Sequence, residues 1–140
     1  MNENQIAAAI VNCAFHIHQK IGPGLLESAY EAMLAHDLRK TGLTVLSQQP
    51  IPVVYDGVHL EAGFRADLLV GGLLIVELKS IEALQSVHKK QLLTYLKLSG
   101  KKLGLLINFG AQSFKGNVIR IANGLEDNGD LDTAIPSLRS

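Results

Sequence analysis

The 140-residue chain has a single cysteine, Cys13, which excludes an intrachain disulfide and any multi-cysteine zinc or iron–sulfur site. The position of Cys13 in an apolar helical pattern predicts a buried small side chain in place of a reactive thiol. The histidines show no zinc-type spacing with Cys13 or with one another. No apolar run approaches the ~20 residues that span a bilayer, and the polar N-terminus does not resemble a secretory signal. We therefore expect a cytoplasmic protein without membrane contact.

An excess of positive charge is also lacking, since 13 Lys and Arg residues balance 13 Asp and Glu residues. This balance argues against a general nucleic-acid binder, which usually carries a basic excess. A local basic patch stays open, and its candidates are Lys89, Lys90, Lys97, Lys101 and Lys102. Neither of the two glycine clusters, Gly22-Pro23-Gly24 and Gly71-Gly72, has the pattern of a phosphate-binding loop. No Gly-x-Ser-x-Gly elbow of a serine hydrolase is present.

Composition and periodicity predict one globular domain, because 47% of the residues are apolar and 19% are charged. We expect this domain over residues 1–125, followed by a polar tail over 126–140. Apolar spacing predicts the order α-α-β-β-β-α-β, with one further short strand as an option. The predicted helices cover 4–20, 25–40 and 87–99, and the predicted strands cover 45–55, 58–70, 73–78, 103–109 and 118–121.

Charged residues stand inside two strongly apolar strand patterns, Asp67 in the first and Glu77 and Lys79 in the second. Burying an unpaired charge is costly, so these side chains need partners or a metal. Because strand side chains alternate between faces, Glu77 and Lys79 project together. Mg²⁺ and Mn²⁺ prefer oxygen ligands and usually take a few carboxylates with water and phosphate. The pattern therefore predicts a divalent-cation site. Neutralisation of the acids by Arg65 and Lys79 is the purely structural alternative.

The two acids converge only in one strand register. A two-residue loop at Gly71-Gly72 would turn Asp67 and Glu77 to opposite faces of the sheet. A three-residue loop over 71–73 would place Asp67 directly across from Glu77, and a β-bulge near Asp67 would have the same effect. We predict one of these two arrangements.

Two predicted helices carry further polar candidates. Glu27 and Tyr30 lie at i and i+3, so they share one face of the second helix. Their function depends on whether this helix packs against the strand pair, because an acid in a first helical turn is also explained by the helix dipole. On the third helix, His88, Gln91 and Tyr95 share a face from which they could contact a phosphate, a base or the water shell of a metal. Solvent exposure without function is the alternative for these three residues.

Several of these residues belong to a recognisable set of motifs. Residues 24–30 contain the pattern Gly-x-x-Glu-x-x-Tyr. The other matching segments are 55–57, 65–70, 75–79, 91–95 and 104–109. With these motifs the chain resembles, over roughly residues 5–122, the GxxExxY protein family, a branch of the PD-(D/E)XK or restriction-endonuclease-like nuclease superfamily. One departure is Ala66, which replaces the nominal proline of the superfamily motif at a variable position.

The resemblance implies an α/β fold with a restriction-endonuclease-like core, a mixed β-sheet flanked by helices. It also implies that Asp67, Glu77 and Lys79 are the catalytic Asp, Glu and Lys. Glu27 matches an acid that the superfamily carries on a helix before the core, and we add it to the catalytic set. Mg²⁺, or Mn²⁺ in its place, would then be held by Glu27, Asp67 and Glu77.

The resemblance further implies a nucleic-acid substrate. Gln91 and Tyr95 match the helix motif that follows the core. The residues that we assign to substrate binding are Gln91, Tyr95, Tyr30, Arg65 and His88. We expect Mg²⁺-dependent hydrolysis of phosphodiester bonds, most of all in DNA. The alternative is a non-catalytic metal-binding, nucleic-acid-binding or scaffold protein that retains the nuclease fold. A homodimer is a third expectation, because one short domain offers limited grip on duplex DNA.

Overall fold

The structure of the protein, a computed structural model, describes residues 1–125 except for the side chains of residues 61 and 62. Within this range the predicted order of elements is confirmed, including the optional last strand. The elements are α1 (Glu3–Ile21), α2 (Glu27–Lys40), β1 (Val45–Tyr55), β2 (Val58–Val70), β3 (Leu74–Lys79), α3 (Ser86–Ser99), β4 (Leu103–Asn108) and β5 (Val118–Ala122). The predicted polar tail, 126–140, lies outside the described residues.

The five strands form one sheet in the order β1-β2-β3-β4-β5. β3 and β4 are parallel and are joined through α3, whereas the other neighbours are antiparallel, so the predicted mixed sheet is confirmed. β1 is an edge strand, a position that suits its Pro50 and Pro52, because proline has no backbone N–H to donate to a second neighbour. β4 is buried along its whole length, which agrees with its uninterrupted apolar run.

Helices cover both faces of the sheet. On one face, α1 and α2 pack with β2, β3 and β4 in the larger apolar cluster, to which α2 contributes Tyr30, Leu34 and Leu38. On the other face, α3 packs through Leu92 and Leu96 in a smaller cluster. Among the described residues, no helix combines the length and the apolar character of a bilayer span.

Two details differ from the sequence-based expectation. α2 begins at Glu27, two residues later than predicted, and Leu26, its N-cap residue, is 78% exposed. Cys13 is only partly buried, although it packs against the larger cluster. Burial raises the pKa of its thiol, and the nearby charge of Asp37 raises it further, which is the environment of an unreactive cysteine.

The register of the central hairpin follows the prediction with a three-residue loop. β2 and β3 pair as Val70↔Leu74, Leu69↔Ile75 and Leu68↔Val76. The loop between them contains Gly71 and Gly72, with φ of 62° and 69°, a region that L side chains rarely adopt. Continuing the register by one residue places Asp67 opposite Glu77.

In both β1 and β2, the alternation of side chains between the two faces of the sheet reverses near Asp67. In β2, Ala66 packs in the smaller cluster and Leu68 in the larger one, although residues two apart on a regular strand point to the same side. In β1, Val45 and Ile51 belong to opposite clusters in the same way. The change of face in β2 therefore occurs at Asp67, at the end of its pairing with β3.

Candidate active site

The two acids of the strand pair meet where the β2–β3 ladder ends. Beyond the pair Leu68↔Val76, no further partners are recorded between the two strands. The backbone N–H of Leu78 instead donates to Asp67 Oδ2 over 2.8 Å. The Asp67 carboxylate thus takes the place of a backbone acceptor, and this hydrogen bond fixes it beside β3.

Glu77 lies next to Asp67 and is partly buried. The pKa of Glu77 is raised to about 9, first by burial and then by the charge of Asp67 and a side-chain hydrogen bond with it, whereas the charge of Lys79 lowers it. Among the described residues, Glu77 Oε1 is buried without a hydrogen-bond partner. Without a cation, Glu77 is therefore protonated at neutral pH, because two neighbouring carboxylates cannot both ionise in a desolvated site.

These features fit a divalent cation. A positive ion between the two carboxyl groups would compensate both charges and give the buried Oε1 of Glu77 a partner. Lys79 lies two residues further along β3, on the same face as Glu77, and its charge lowers the pKa of Glu77. The residues that could hold the ion are thus Asp67 and Glu77, with Lys79 beside them.

The expected meeting of three carboxylates is incomplete. In the described part of the chain, no three His, Cys, Asp or Glu side chains are arranged so that they could hold one metal ion. Glu27 is exposed in the first turn of α2. Glu31, one turn later, is linked to Asp67 through the side chain of Gln48, and its pKa is raised by burial first and then by the charge of Asp67. The role of Glu27 as a third ligand stays a prediction.

Tyr30 is buried and supports the loop before Glu27. Its side chain is completely buried and stacks on Phe109 at 4.5 Å between ring centroids. Its hydroxyl donates to the carbonyl of Gly22 (2.6 Å) and accepts from the N–H of Leu25 (3.2 Å). The structure thus shows a buried hydroxyl with two backbone partners, and substrate binding by Tyr30 stays a prediction.

Two polar residues connect the end of β3 to its surroundings. Ser80, directly after Lys79, donates its hydroxyl to the carbonyl of Leu25 over 2.7 Å and so links β3 to the loop before Glu27. Asn108, at the end of β4, accepts from the N–H of Ile81 and donates to the carbonyl of the same residue. Together these bonds hold the segment that follows the Glu-x-Lys strand.

The helix α3 brings its predicted polar face to the acid pair. The pKa of Tyr95 is raised by burial and by the charges of Glu77 and Asp67, whereas a hydrogen bond from Gln91 lowers it. Its ring stacks on Phe64 of β2 at 3.9 Å between centroids. Gln91 and Tyr95 thus lie together beside the acids, and their roles toward a substrate stay predictions.

His88 and Arg65 are placed less specifically. His88 Nδ1 accepts from the N–H of Gln85 over 3.0 Å, so one of its nitrogens caps the start of α3. It also lines a shallow cavity of about 520 Å³ with Ile81 and Gln85. Arg65 is exposed on β2 opposite Pro50 of the edge strand. Substrate binding by these two residues stays a prediction.

Two residues beside the acid pair, Glu31 and Gln48, were not predicted from the sequence. Glu31 could have been found, because it lies four residues after Glu27 and therefore on the same helical face. Gln48 carries no sequence signal, yet its side chain donates to both Glu31 and Asp67.

Comparison with known proteins bears directly on this arrangement. A model of the PD-(D/E)XK nuclease superfamily matches residues 4–121, which include every strand residue of the site, α2 and α3, and all of α1 but its first residue. No curated protein and no solved structure matches the chain. The narrower GxxExxY resemblance stays a prediction. The matched range covers most of the chain and the predicted fold is present, so this protein belongs to the PD-(D/E)XK nuclease superfamily and has its restriction-endonuclease-like α/β fold.

Proposed function

We propose that this protein is a Mg²⁺-dependent nuclease that hydrolyses phosphodiester bonds in DNA, with Mn²⁺ as an alternative ion. The single observation that carries the proposal is Glu77 Oε1, which is buried beside Asp67 without a hydrogen-bond partner among the described residues. Such a pair is unfavourable in a fold unless a cation replaces the proton, and perturbed acids of this kind concentrate at functional sites. Membership of a nuclease superfamily supports phosphodiester bonds as the substrate class.

Each residue of the site has a defined task in this proposal. Asp67 and Glu77 would hold the ion through carboxylate oxygens, with Glu77 in its ionised form. The chemistry that the ion would supply is polarisation of the scissile phosphate and a lower pKa of a water molecule. Lys79 orients the attacking water or stabilises the negative charge that develops on the phosphate. Glu27 acts as a further acid from the start of α2.

Binding of nucleic acid is supported by the surface next to the site. The exposed lysines of α3 are Lys89, Lys90 and Lys97. Because α3 also carries Gln91 and Tyr95 beside the acids, a phosphate backbone bound along this helix would lie near the site. The balanced net charge means that such binding depends on this local patch. The cytoplasmic location and the homodimer stay predictions.

A cleavage assay tests the proposal. Single- and double-stranded DNA and RNA are incubated with the protein in Mg²⁺, in Mn²⁺ and in EDTA, and Mn²⁺ affinity is measured by titration calorimetry. We expect metal-dependent cleavage of DNA. Lys79→Ala should reduce the rate by about 10²–10³-fold, the cost of removing one preorganised charge partner.

Glu77→Gln separates the proposal from its alternatives, with the exposed Glu82→Gln as the matched control. We expect Glu77→Gln to weaken Mn²⁺ binding by at least about 100-fold, because even residues behind the ligands cost 10–100-fold. Metal binding without cleavage of any substrate would favour the scaffold protein over the enzyme. If wild type cleaves nothing and all three proteins bind Mn²⁺ equally, the nuclease proposal is wrong.

A further inference from the structure

Gln48 has an unusual backbone for its position. It lies in the middle of β1 with φ of 51°, a left-handed conformation that side chains other than glycine rarely adopt. The other described non-glycine residue with positive φ, Asp56, is in the β1–β2 turn, where such values are common. A left-handed residue inside a strand therefore needs another explanation, and strained backbones concentrate at functional sites.

The side chain of Gln48 connects two acids from different elements. Its Nε2 donates to Glu31 Oε1 of α2 over 2.7 Å and to Asp67 Oδ1 of β2 over 3.2 Å. A side-chain amide has two N–H groups, so both bonds can form together. Gln48 thus satisfies the two carboxylates without adding a charge to the site.

The conformation of Gln48 makes these contacts geometrically available. The neighbouring pairs Ser47↔Leu68 and Gln49↔Ala66 place Gln48 opposite Asp67. β2 changes face at Asp67, and β1 changes face in the segment that contains Gln48. A single left-handed residue interrupts the alternation of a strand, so it can turn its side chain toward an adjacent helix and the partner strand at once.

The Asp67 carboxylate is consequently held at both oxygens. Oδ1 accepts from Gln48 and Oδ2 accepts from the N–H of Leu78. Each carboxylate oxygen has two lone pairs, so one on each oxygen stays available to a cation. Two bonds on opposite oxygens fix the plane of the carboxylate, which is how residues behind the ligands orient a metal site.

We propose that Gln48 is a positioning residue of this nuclease site, which anchors Asp67 to Glu31 of α2 and orients the Asp67 carboxylate for the cation. This assignment rests on the proposed function. Glu31 acts as the acceptor that holds the Gln48 amide in place. The strained backbone of β1 is the conformation that this bridge requires.

Gln48→Gly tests the assignment, because glycine removes the amide and also accepts a positive φ without strain. We expect Mn²⁺ affinity to fall by about 10–100-fold, with a parallel fall in kcat/KM. The urea midpoint should stay unchanged or rise. A residue that serves stability alone would give the reverse pattern. Gln49→Ala, the adjacent glutamine without a left-handed backbone, is the matched control and should behave as wild type in all three measurements.

The outcomes separate this assignment from the proposed function. If wild type binds Mn²⁺ and cleaves DNA but Gln48→Gly does so equally well, the positioning role is wrong and the nuclease stands. If wild type neither binds nor cleaves, the proposed function fails and the positioning role fails with it.

A measurement that needs no activity checks the bridge itself. The side-chain amide signals of Gln48, assigned by their loss in Gln48→Gly, should shift in ¹⁵N–¹H spectra of both Glu31→Gln and Asp67→Asn. The amide signals of Gln49 should move in neither variant. Gln48 signals that respond to only one substitution, or to none, would overturn the proposed bridge.

Discussion

Glu77 and Asn108 are polar side chains at the ends of adjacent parallel strands, yet their surroundings differ completely. Asn108 has no exposed surface, and its amide makes four hydrogen bonds. Its Oδ1 accepts from the N–H groups of Ile81 and Gly110, and its Nδ2 donates to Ile81 and Asn117. Glu77, in the described part of the chain, keeps one buried oxygen without any partner.

The contrast indicates a structural role for Asn108 and a functional role for Glu77, although the two residues lie on adjacent strands. A buried polar group that is fully hydrogen-bonded stabilises and specifies the fold, whereas one that is left unsatisfied is costly and calls for a bound partner or a functional reason. Asn108 fixes the chain directly after Lys79, and a Cβ on Gly110 would overlap with the backbone of Ile81. The end of β4 thus holds β3 in place, the strand that carries Glu77 with its unsatisfied oxygen.

The largest expected effect concerns the proton on Glu77. Its folded-state pKa of about 9 lies above the usual 4.5, so between these values the folded protein binds more protons than the unfolded chain. The free energy of unfolding in EDTA should therefore fall as pH rises from about 5 to about 9, with a slope of at most about 1.4 kcal/mol per pH unit for one proton. Urea unfolding of wild type and Glu77→Gln at several pH values measures it.

Glu77→Gln should lack this loss, and Glu82→Gln should keep it, since Glu82 is exposed. Saturating Mn²⁺ should also remove the loss in wild type, because a bound cation compensates the ionised carboxyl. If the free energy of unfolding in EDTA depends on pH equally in wild type and Glu77→Gln, the pKa of Glu77 is not raised in the folded protein.

Asn108→Ala tests how much the fully hydrogen-bonded amide of Asn108 stabilises the fold. The substitution removes four hydrogen bonds and leaves both backbone groups of Ile81 without their side-chain partner. We expect the free energy of unfolding to fall by about 2–4 kcal/mol, since each bond contributes about 1 kcal/mol and the unpaired groups add to the cost. Urea unfolding with tyrosine fluorescence or circular dichroism gives this value.

Asn117→Ala is the matched control for Asn108→Ala. It removes one of the four bonds of Asn108 and a bond from its own Nδ2 to the carbonyl of Ser113. Its effect should be about half or less. A loss below about 1 kcal/mol for Asn108→Ala would show that the four-bond network is not what holds the segment after Lys79.

The sequence predicted the fold well because its signals are local. The bounds of β1 and β2 follow from apolar alternation around the Asp56-Gly57 turn, whose two residues have φ of 50° and 74°. The register of Asp67 against Glu77 could be reduced to two arrangements from the loop length alone. Periodicity and turn chemistry operate within a few residues, so they can be read without tertiary contacts.

The candidate site was less predictable because its contacts join distant segments. No local pattern imposes a left-handed backbone on Gln48, which results from the change of face in two paired strands. Helical spacing places Tyr30 beside Glu27, but it cannot distinguish a substrate contact from a core residue. That distinction depends on Phe109, which comes from β4's end and fills the space beneath the ring.

Tyr30→Phe should have the smallest effect of these variants, because it removes a single, fully hydrogen-bonded hydroxyl. The change keeps the stacking on Phe109 and removes only the hydroxyl that joins Gly22 to Leu25. We expect a loss of about 1 kcal/mol in the free energy of unfolding, measured by urea unfolding. Tyr55→Phe, which alters a ring that is 68% exposed, should change it by less than about 0.5 kcal/mol. If the two variants are equally stable, the Tyr30 hydroxyl does not support the loop before Glu27.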